Sequence, residues 1–154
     1  MERTVIQDSL RINQLSSAGL DWLSRYLSEI EARNLDGAVE FYHDSAVTQV
    51  NDGLPLHTKV AVHGLLQRYF ENFAQVEHEL LNAFGVDTQF ATEMLCHYTP
   101  AASGKRITMP ATAIYERDPD GLIVSMRIYM SATGMFEAFA AVEAPPAAPL
   151  RKRI

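Results

Sequence analysis

The sequence holds a single cysteine, Cys96, so no disulfide can form within the chain. One thiol is the usage of a reducing compartment, and a cytoplasmic location is the expectation. No stretch of ~18 consecutive apolar residues occurs, which leaves no candidate for a membrane-spanning helix. The first residues, Met1 to Thr4, lack the basic-then-apolar order of a secretory signal, so none is expected. Positive charge is scarce: 13 Lys and Arg stand against 19 Asp and Glu, for a net charge of −6. The basic residues cluster only at Arg151-Lys152-Arg153. Phosphate backbones demand concentrated positive charge, so no nucleic-acid partner is expected. A glycine-rich phosphate loop, a nucleophile elbow, an HxH or HExxH pair and a Cys/His cluster are all missing. No cofactor and no metal are therefore expected, and a small molecule is the partner class that remains.

What the chain does have is apolar periodicity. Its 154 residues fit one domain, and 47% apolar against 21% charged is an ordinary globular balance. Residues 1–17 read as an N-terminal extension in which Leu10, Ile12 and Leu15 suggest a short flanking helix. The folded domain is expected over 18–140. Leu20, Leu23, Leu27 and Ile30 fall on one helical stripe with Trp22 and Tyr26 beside it, and Asp21 sits in the first turn. Residues 34–37 interrupt the stripe, and Ala38, Val39, Phe41 and Tyr42 read as a second, short helix. Residues 45–50 read as a strand closed by Asn51-Asp52-Gly53. Residues 54–63 carry no clear pattern. Leu65, Leu66, Tyr69, Phe70 and Phe73 give a third helix. Strands then follow at 77–86 and 90–99 around Asp87-Thr88, and at 106–117 and 122–131 around Asp118-Pro119-Asp120-Gly121. The Pro- and Ala-rich residues 141–154 read as a flexible tail. This order makes an α+β fold, with a curved, mainly antiparallel sheet wrapped by N-terminal helices around an apolar pocket.

Strand alternation assigns faces. Met126, Ile128 and Met130 share one side of the last strand and Ser125, Arg127 and Tyr129 the other. Met109, Ala111 and Ala113 extend the apolar side. A two-residue turn at Asp87-Thr88 sets His78 opposite His97, with Cβ atoms ~5 Å apart, and Asn82 opposite Glu93. A slip of one residue would send the two histidines to opposite faces. Paired imidazoles suit acid–base chemistry near neutral pH, one taking a proton while the other, or a water between them, supplies one. His43 and His57 read as surface residues, with His63 in reserve near the pocket mouth. Cys96 points away from His97, so it is no candidate nucleophile.

Two segments are similar to a known fold family. Phe41-Tyr42-His43-Asp44-Ser45-Ala46-Val47 resembles the junction from helix to first strand in the nuclear transport factor 2-like superfamily. Asp120 to Tyr129 resembles that superfamily's last hairpin. The superfamily includes ketosteroid isomerases, scytalone dehydratase, limonene epoxide hydrolase and the SnoaL-like polyketide cyclases, and the resemblance implies a cone-shaped α+β barrel. It places Tyr26 at the isomerases' catalytic tyrosine, but puts Val50 at the position of the base and Ala113 at that of the second acid. Asp52, two residues beyond Val50, is the alternative base. Ser131 stands where the cyclases often carry an acid, and no Asp-Arg-Asp set of the epoxide hydrolase kind assembles. Like the dehydratase, the chain offers histidines on neighbouring strands, and Glu31 falls near that family's helix carboxylate, while Ile30 stands where the family has a tyrosine.

The functional expectation is a cofactor-independent isomerase, dehydratase or cyclase acting on a small hydrophobic oxygenated metabolite of polyketide or terpenoid type. Tyr26, His78, His97, Glu31 and Asp52 are the catalytic candidates. Trp22, Val50, Met109, Ala113, Met126, Ile128 and Met130 are the expected substrate-binding residues. Two alternatives stay open: a non-catalytic binding or assembly module of the same fold, and an epoxide hydrolase. The resemblance also implies a homodimer.

Overall fold

The computed structural model describes residues 7–131. The tail expected over 141–154 lies outside the described residues. In chain order the elements are β1 (Ile12–Asn13), α1 (Ser17–Glu31), α2 (Leu35–Val39), β2 (Tyr42–Val50), β3 (Leu56–His57), α3 (Lys59–Asn72), β4 (Phe73–Val86), β5 (Gln89–Pro100), β6 (Ile107–Arg117) and β7 (Ile123–Met130). The strands form one curved, unclosed sheet in the order β1-β4-β5-β6-β7-β2-β3. The β4–β5–β6–β7 meander is antiparallel, while β2 runs parallel to β7 and β1 parallel to β4.

The first helix forms where the stripe demanded it, but begins earlier. Ser16 caps it, its hydroxyl accepting from the Gly19 amide. Asp21 therefore lies beyond the first turn and pairs with Arg25 one turn on, at 3.4 Å. Trp22, Leu23, Tyr26, Leu27 and Ile30 face the sheet and are buried. Asp87, in the β4–β5 turn, receives the Ser16 amide at 2.9 Å and also its hydroxyl, tying the helix start to the hairpin. Arg117 completes this corner. Its guanidinium lies 4.0 Å from the Trp22 ring centroid and donates to the carbonyls of Asp87 and Gly121.

Three sequence expectations shift. Leu10 to Leu15 hold no helix: Ile12 and Asn13 pair with Asn82 and Ala83 as an edge strand, and only Leu15 is buried. Tyr42 opens β2 rather than closing α2, because the short helix ends at Val39 and the chain pairs with β7 at once. The unpatterned stretch 54–63 contains β3 and the first turn of α3, capped by Thr58.

The core lies between α1 and the concave face of the sheet. Trp22 stacks on Tyr26 at 5.9 Å and meets Phe41, Phe90 and Tyr115 edge-on, while Phe90 and Tyr115 stack at 4.8 Å. A second aromatic group, Tyr69, Phe70, Phe73 and Tyr98, closes the space under α3. Such rings supply large apolar areas at favourable edge and offset angles. Between the two groups a cavity remains.

Candidate active site

The cavity measures about 370 Å³ and is partly open to solvent. Tyr26, Leu27 and Ile30 of α1 line it, with Leu65, Arg68, Tyr69 and Asn72 of α3, and a sheet wall that includes His78, Met94, Cys96, Tyr98, Ala113, Met126, Ile128 and Met130. Its size lies within the range of sites for small molecules, and its wall is mostly apolar.

One polar pair breaks that wall. Glu31, the last residue of α1, has a side chain only 1% exposed, and His78 on β4 is buried beside it. Glu31 Oε1 lies 3.1 Å from His78 Nδ1 and accepts from the His78 backbone amide at 2.5 Å. The other carboxylate oxygen, Oε2, is buried without a hydrogen-bond partner among the described residues. A carboxylate against Nδ1 holds the proton on that nitrogen and leaves Nε2 with its lone pair. Nε2 makes no hydrogen bond within the described residues, so it is the nitrogen left for a ligand in the cavity. The same division of labour operates wherever a carboxylate orients a catalytic imidazole.

His78 does not meet His97. The turn at Asp87-Thr88 has the expected register, and Asn82 does oppose Glu93. Between Leu80 and Asn82, however, a β-bulge inserts one extra residue in β4. From Leu80 back to Gln75 each partner shifts by one: His78 faces Cys96, and His97 faces Glu77. The bulge turns His78 to the inner face, while His97, on the unbroken alternation of β5, lies on the outer face, where Nδ1 is 2.8 Å from the Thr108 hydroxyl and Nε2 is 3.2 Å from Glu79. Ser9 donates to the same Glu79 at 2.6 Å, and these hydrogen bonds hold the Glu79 carboxyl below its ordinary range. His97 is thus removed from the cavity, and Glu31, expected only near the dehydratases' helix carboxylate, stands beside His78 where His97 was expected.

The remaining candidates divide. Tyr26 lines the cavity, and its hydroxyl is 2.5 Å from that of Tyr42, with Met126 Sδ 3.9 Å away. Burial pushes the Tyr26 hydroxyl well above its ordinary range, with the Tyr42 phenol adding to the effect. It is a hydrogen-bond donor, not a base, at neutral pH. Val50, Ala113, Met126, Ile128 and Met130 line the wall. Trp22 and Met109 are buried in the surrounding core and do not line it. Asp52 is exposed in the turn after β2, outside the cavity. His43, bonded to Ser45, His57 and His63 do not line it either.

Sequence reasoning missed Tyr42, Arg68, Tyr69, Asn72 and Tyr98 as site residues. The signal for three of them was present: Leu65, Arg68, Tyr69 and Asn72 follow the i, i+3, i+4, i+7 spacing of one helix face. Cys96 also lines the cavity, but burial pushes its thiol up to about 11, so it stays protonated and unreactive at neutral pH.

This cone of helices on a curved sheet, with its cavity between α1, α3 and the strands, has known counterparts. Residues 23–126 match the SnoaL-like domain family. The chain belongs to that family. A comparison with curated protein sequences gives no significant match. Among solved structures, the SnoaL-like domain is similar to a protein classed as a SnoaL-like polyketide cyclase from Shewanella denitrificans OS-217, with TM-score 0.70 and 11% identity, covering 82% of this chain and 99% of that one. It is also similar to the epoxide hydrolase/cyclase-like enzyme SalBIII of pyran ring formation in the polyether salinomycin, with TM-score 0.67 and 16% identity over 76% and 93% of the two chains. A third relative in fold is an LEH-like epoxide hydrolase of M. tuberculosis, with TM-score 0.66 and 16% identity over 81% and 91%. At these identities the likeness establishes the shared fold of the SnoaL-like domain, and function rests on its own residues. Among the described residues no helix is long and apolar enough to cross a membrane.

Proposed function

We propose that this SnoaL-like domain is a cofactor-independent isomerase, dehydratase or cyclase that acts on a small hydrophobic oxygenated metabolite by general acid–base catalysis. The observation that carries the reading is the buried Glu31–His78 pair in an otherwise greasy wall. Burying a carboxylate costs several kcal/mol unless it is well paired, and Glu31 keeps one oxygen unpartnered, so the pair is expensive as mere structure. His78 is the base: Nε2 takes a proton from carbon next to a carbonyl, and the resulting imidazolium returns it elsewhere on the substrate or to a leaving hydroxyl. Glu31 orients the ring and stabilises the imidazolium. Tyr26, backed by Tyr42, donates a hydrogen bond to the oxygen on which negative charge develops. The apolar wall folds the substrate and keeps water away.

The epoxide hydrolase reading has less support, because among the described residues no aspartate lines the cavity and any activated water would depend on His78. As a homodimer, the protein would associate through the outer sheet face, where Tyr129 is 47% exposed and Phe84 39%.

A panel of enolisable and β-hydroxy ketones incubated in deuterated water tests the reading. The wild-type protein should exchange or transform at least one member, and H78Q should lose about 10²–10⁴-fold in rate. Exchange that survives H78Q removes His78 from the chemistry. A ligand that fills the cavity and passes through unchanged, with no panel member transformed, makes the protein a binding module instead.

A further inference from the structure

We infer that the ligand of this cavity carries a terminal carboxylate, held at the mouth by Arg68. The inference rests on the cavity being the substrate site, as proposed above, but on no particular chemistry within it.

Arg68 and Asn72 stand one turn apart on the α3 face that closes the cavity, beside Leu65 and Tyr69. Arg68 is both exposed and part of the lining, which puts it at the opening rather than in the depth. Among the described residues no aspartate or glutamate contributes to the lining, and Arg68 is its one permanently charged member. Within the described residues its guanidinium makes no ion pair or hydrogen bond; only the Arg68 carbonyl is engaged, accepting from Asn72 Nδ2 at 2.7 Å. Arg25, Arg33, Arg106 and Arg117 are committed, to Asp21, the Phe70 carbonyl, Glu77, and two carbonyls with the Trp22 ring, and neither Arg11 nor Arg127 lines the cavity.

An uncommitted guanidinium at the lip of an apolar cavity, in a chain of net charge −6, is a local positive point in a negative field. Its planar fork matches a carboxylate in bidentate fashion. A molecule with an apolar, oxygenated body and a carboxylate at one end would enter body first, place its oxygen functions among Tyr26, His78 and Tyr98, and leave its charge at Arg68. The fixed charge at one end would also set which carbon reaches His78. A diphosphate would need further cations, and none lines the opening among the described residues.

The test compares matched pairs, alkanoates and arylalkanoates against the corresponding alcohols, by isothermal titration calorimetry. Methyl shifts of Ile128 and Met130 report that the probe occupies the cavity. The wild-type protein should bind the carboxylate about three to ten times more tightly than its alcohol at low salt, with the preference shrinking as salt rises. R68Q should erase the preference, R68K should keep part of it, and R68E should reverse it. H78Q should retain the preference even where it abolishes turnover, which separates this inference from the proposed chemistry. Equal binding, tighter binding of the alcohols, no carboxylate in the cavity, or a preference that outlives R68Q overturns it.

Discussion

Replacing Glu31 and His78 by leucine, singly and together, separates a structural hydrogen-bonded pair from a functional one. In H78L the Glu31 carboxylate keeps only the backbone amide of residue 78, in a site where its side chain is 1% exposed. Breaking a buried pair from one side costs about 3–5 kcal/mol. In E31L two donors lose their acceptor, the amide and Nδ1–H of His78, at about 1–3 kcal/mol each when buried. The double variant leaves only the amide unpaired and adds apolar packing, so it should fall within about 2 kcal/mol of wild type. The coupling between the two sites should therefore exceed about 2 kcal/mol, well above the additive behaviour of independent positions. Urea unfolding at neutral pH, followed through the sole tryptophan, Trp22, reads all four stabilities. Singles that each cost less than about 1 kcal/mol, or a double variant equal to their sum, would refute a coupled buried pair. A double variant as stable as wild type but inactive is the outcome expected of a pair kept for chemistry.

Three further outcomes follow from the geometry. Gly19→Ala ordinarily strengthens a helix by about 0.5–1 kcal/mol, but here the new Cβ would stand 2.2 Å from Asp87 Oδ1 and displace it from Ser16; a net loss of about 1 kcal/mol is expected, turning to a gain in the D87A background. Thermal denaturation of the four proteins checks the sign, and a loss that persists without Asp87 would refute the clash. Burial raises Cys96 to about 11 from an ordinary 9.0, and it raises Tyr26, Tyr42, Tyr69, Tyr98 and Tyr115 as well. Below pH 9 the thiol is protonated in both states and its contribution is complete; as pH rises from 9 toward 11 the unfolded chain loses its proton first, so stability falls, by on the order of 2–3 kcal/mol for Cys96 alone. Thiol alkylation of the folded protein should correspondingly stay slow at pH 8 and become fast only in denaturant. Ala113→Leu projects into the cavity, and should cut binding of any cavity ligand at least about tenfold while costing no more than about 1–3 kcal/mol of stability; unchanged ligand binding by calorimetry would move the site elsewhere.

Much of this architecture was legible in the residues because it is local. The stripe of Leu23, Leu27 and Ile30 requires a helix, the Asp87-Thr88 and Asp118–Gly121 turns require hairpins, and strict alternation in β7 puts Met126, Ile128 and Met130 on the cavity side. Gly121, with φ of 84°, serves a turn that few other residues would accept. The short elements were less legible: β1 and β3 hold two residues each and exist because a neighbouring strand is there to pair with them.

The sequence alone determined the α+β class, the apolar face of the last strands and the residue types available to the cavity, since periodicity, turn chemistry and composition act over a few neighbouring positions, and the resemblance of residues 41–47 and 120–129 pointed to the fold family. Which of those residues meet was decided by tertiary structure. A single bulge near Leu81, invisible to a period-2 pattern, reverses the facing of the β4 residues before it and turns His78 inward beside Cys96, while His97 keeps the outward facing that the unbroken alternation of β5 gives it. Glu31 reaches His78 across 47 positions of chain only because α1 lies over β4. Arg68 becomes the lip of a cavity only once α3 has closed one. Side-chain facing in a sheet depends on register, and register accumulates from every residue between the turn and the site.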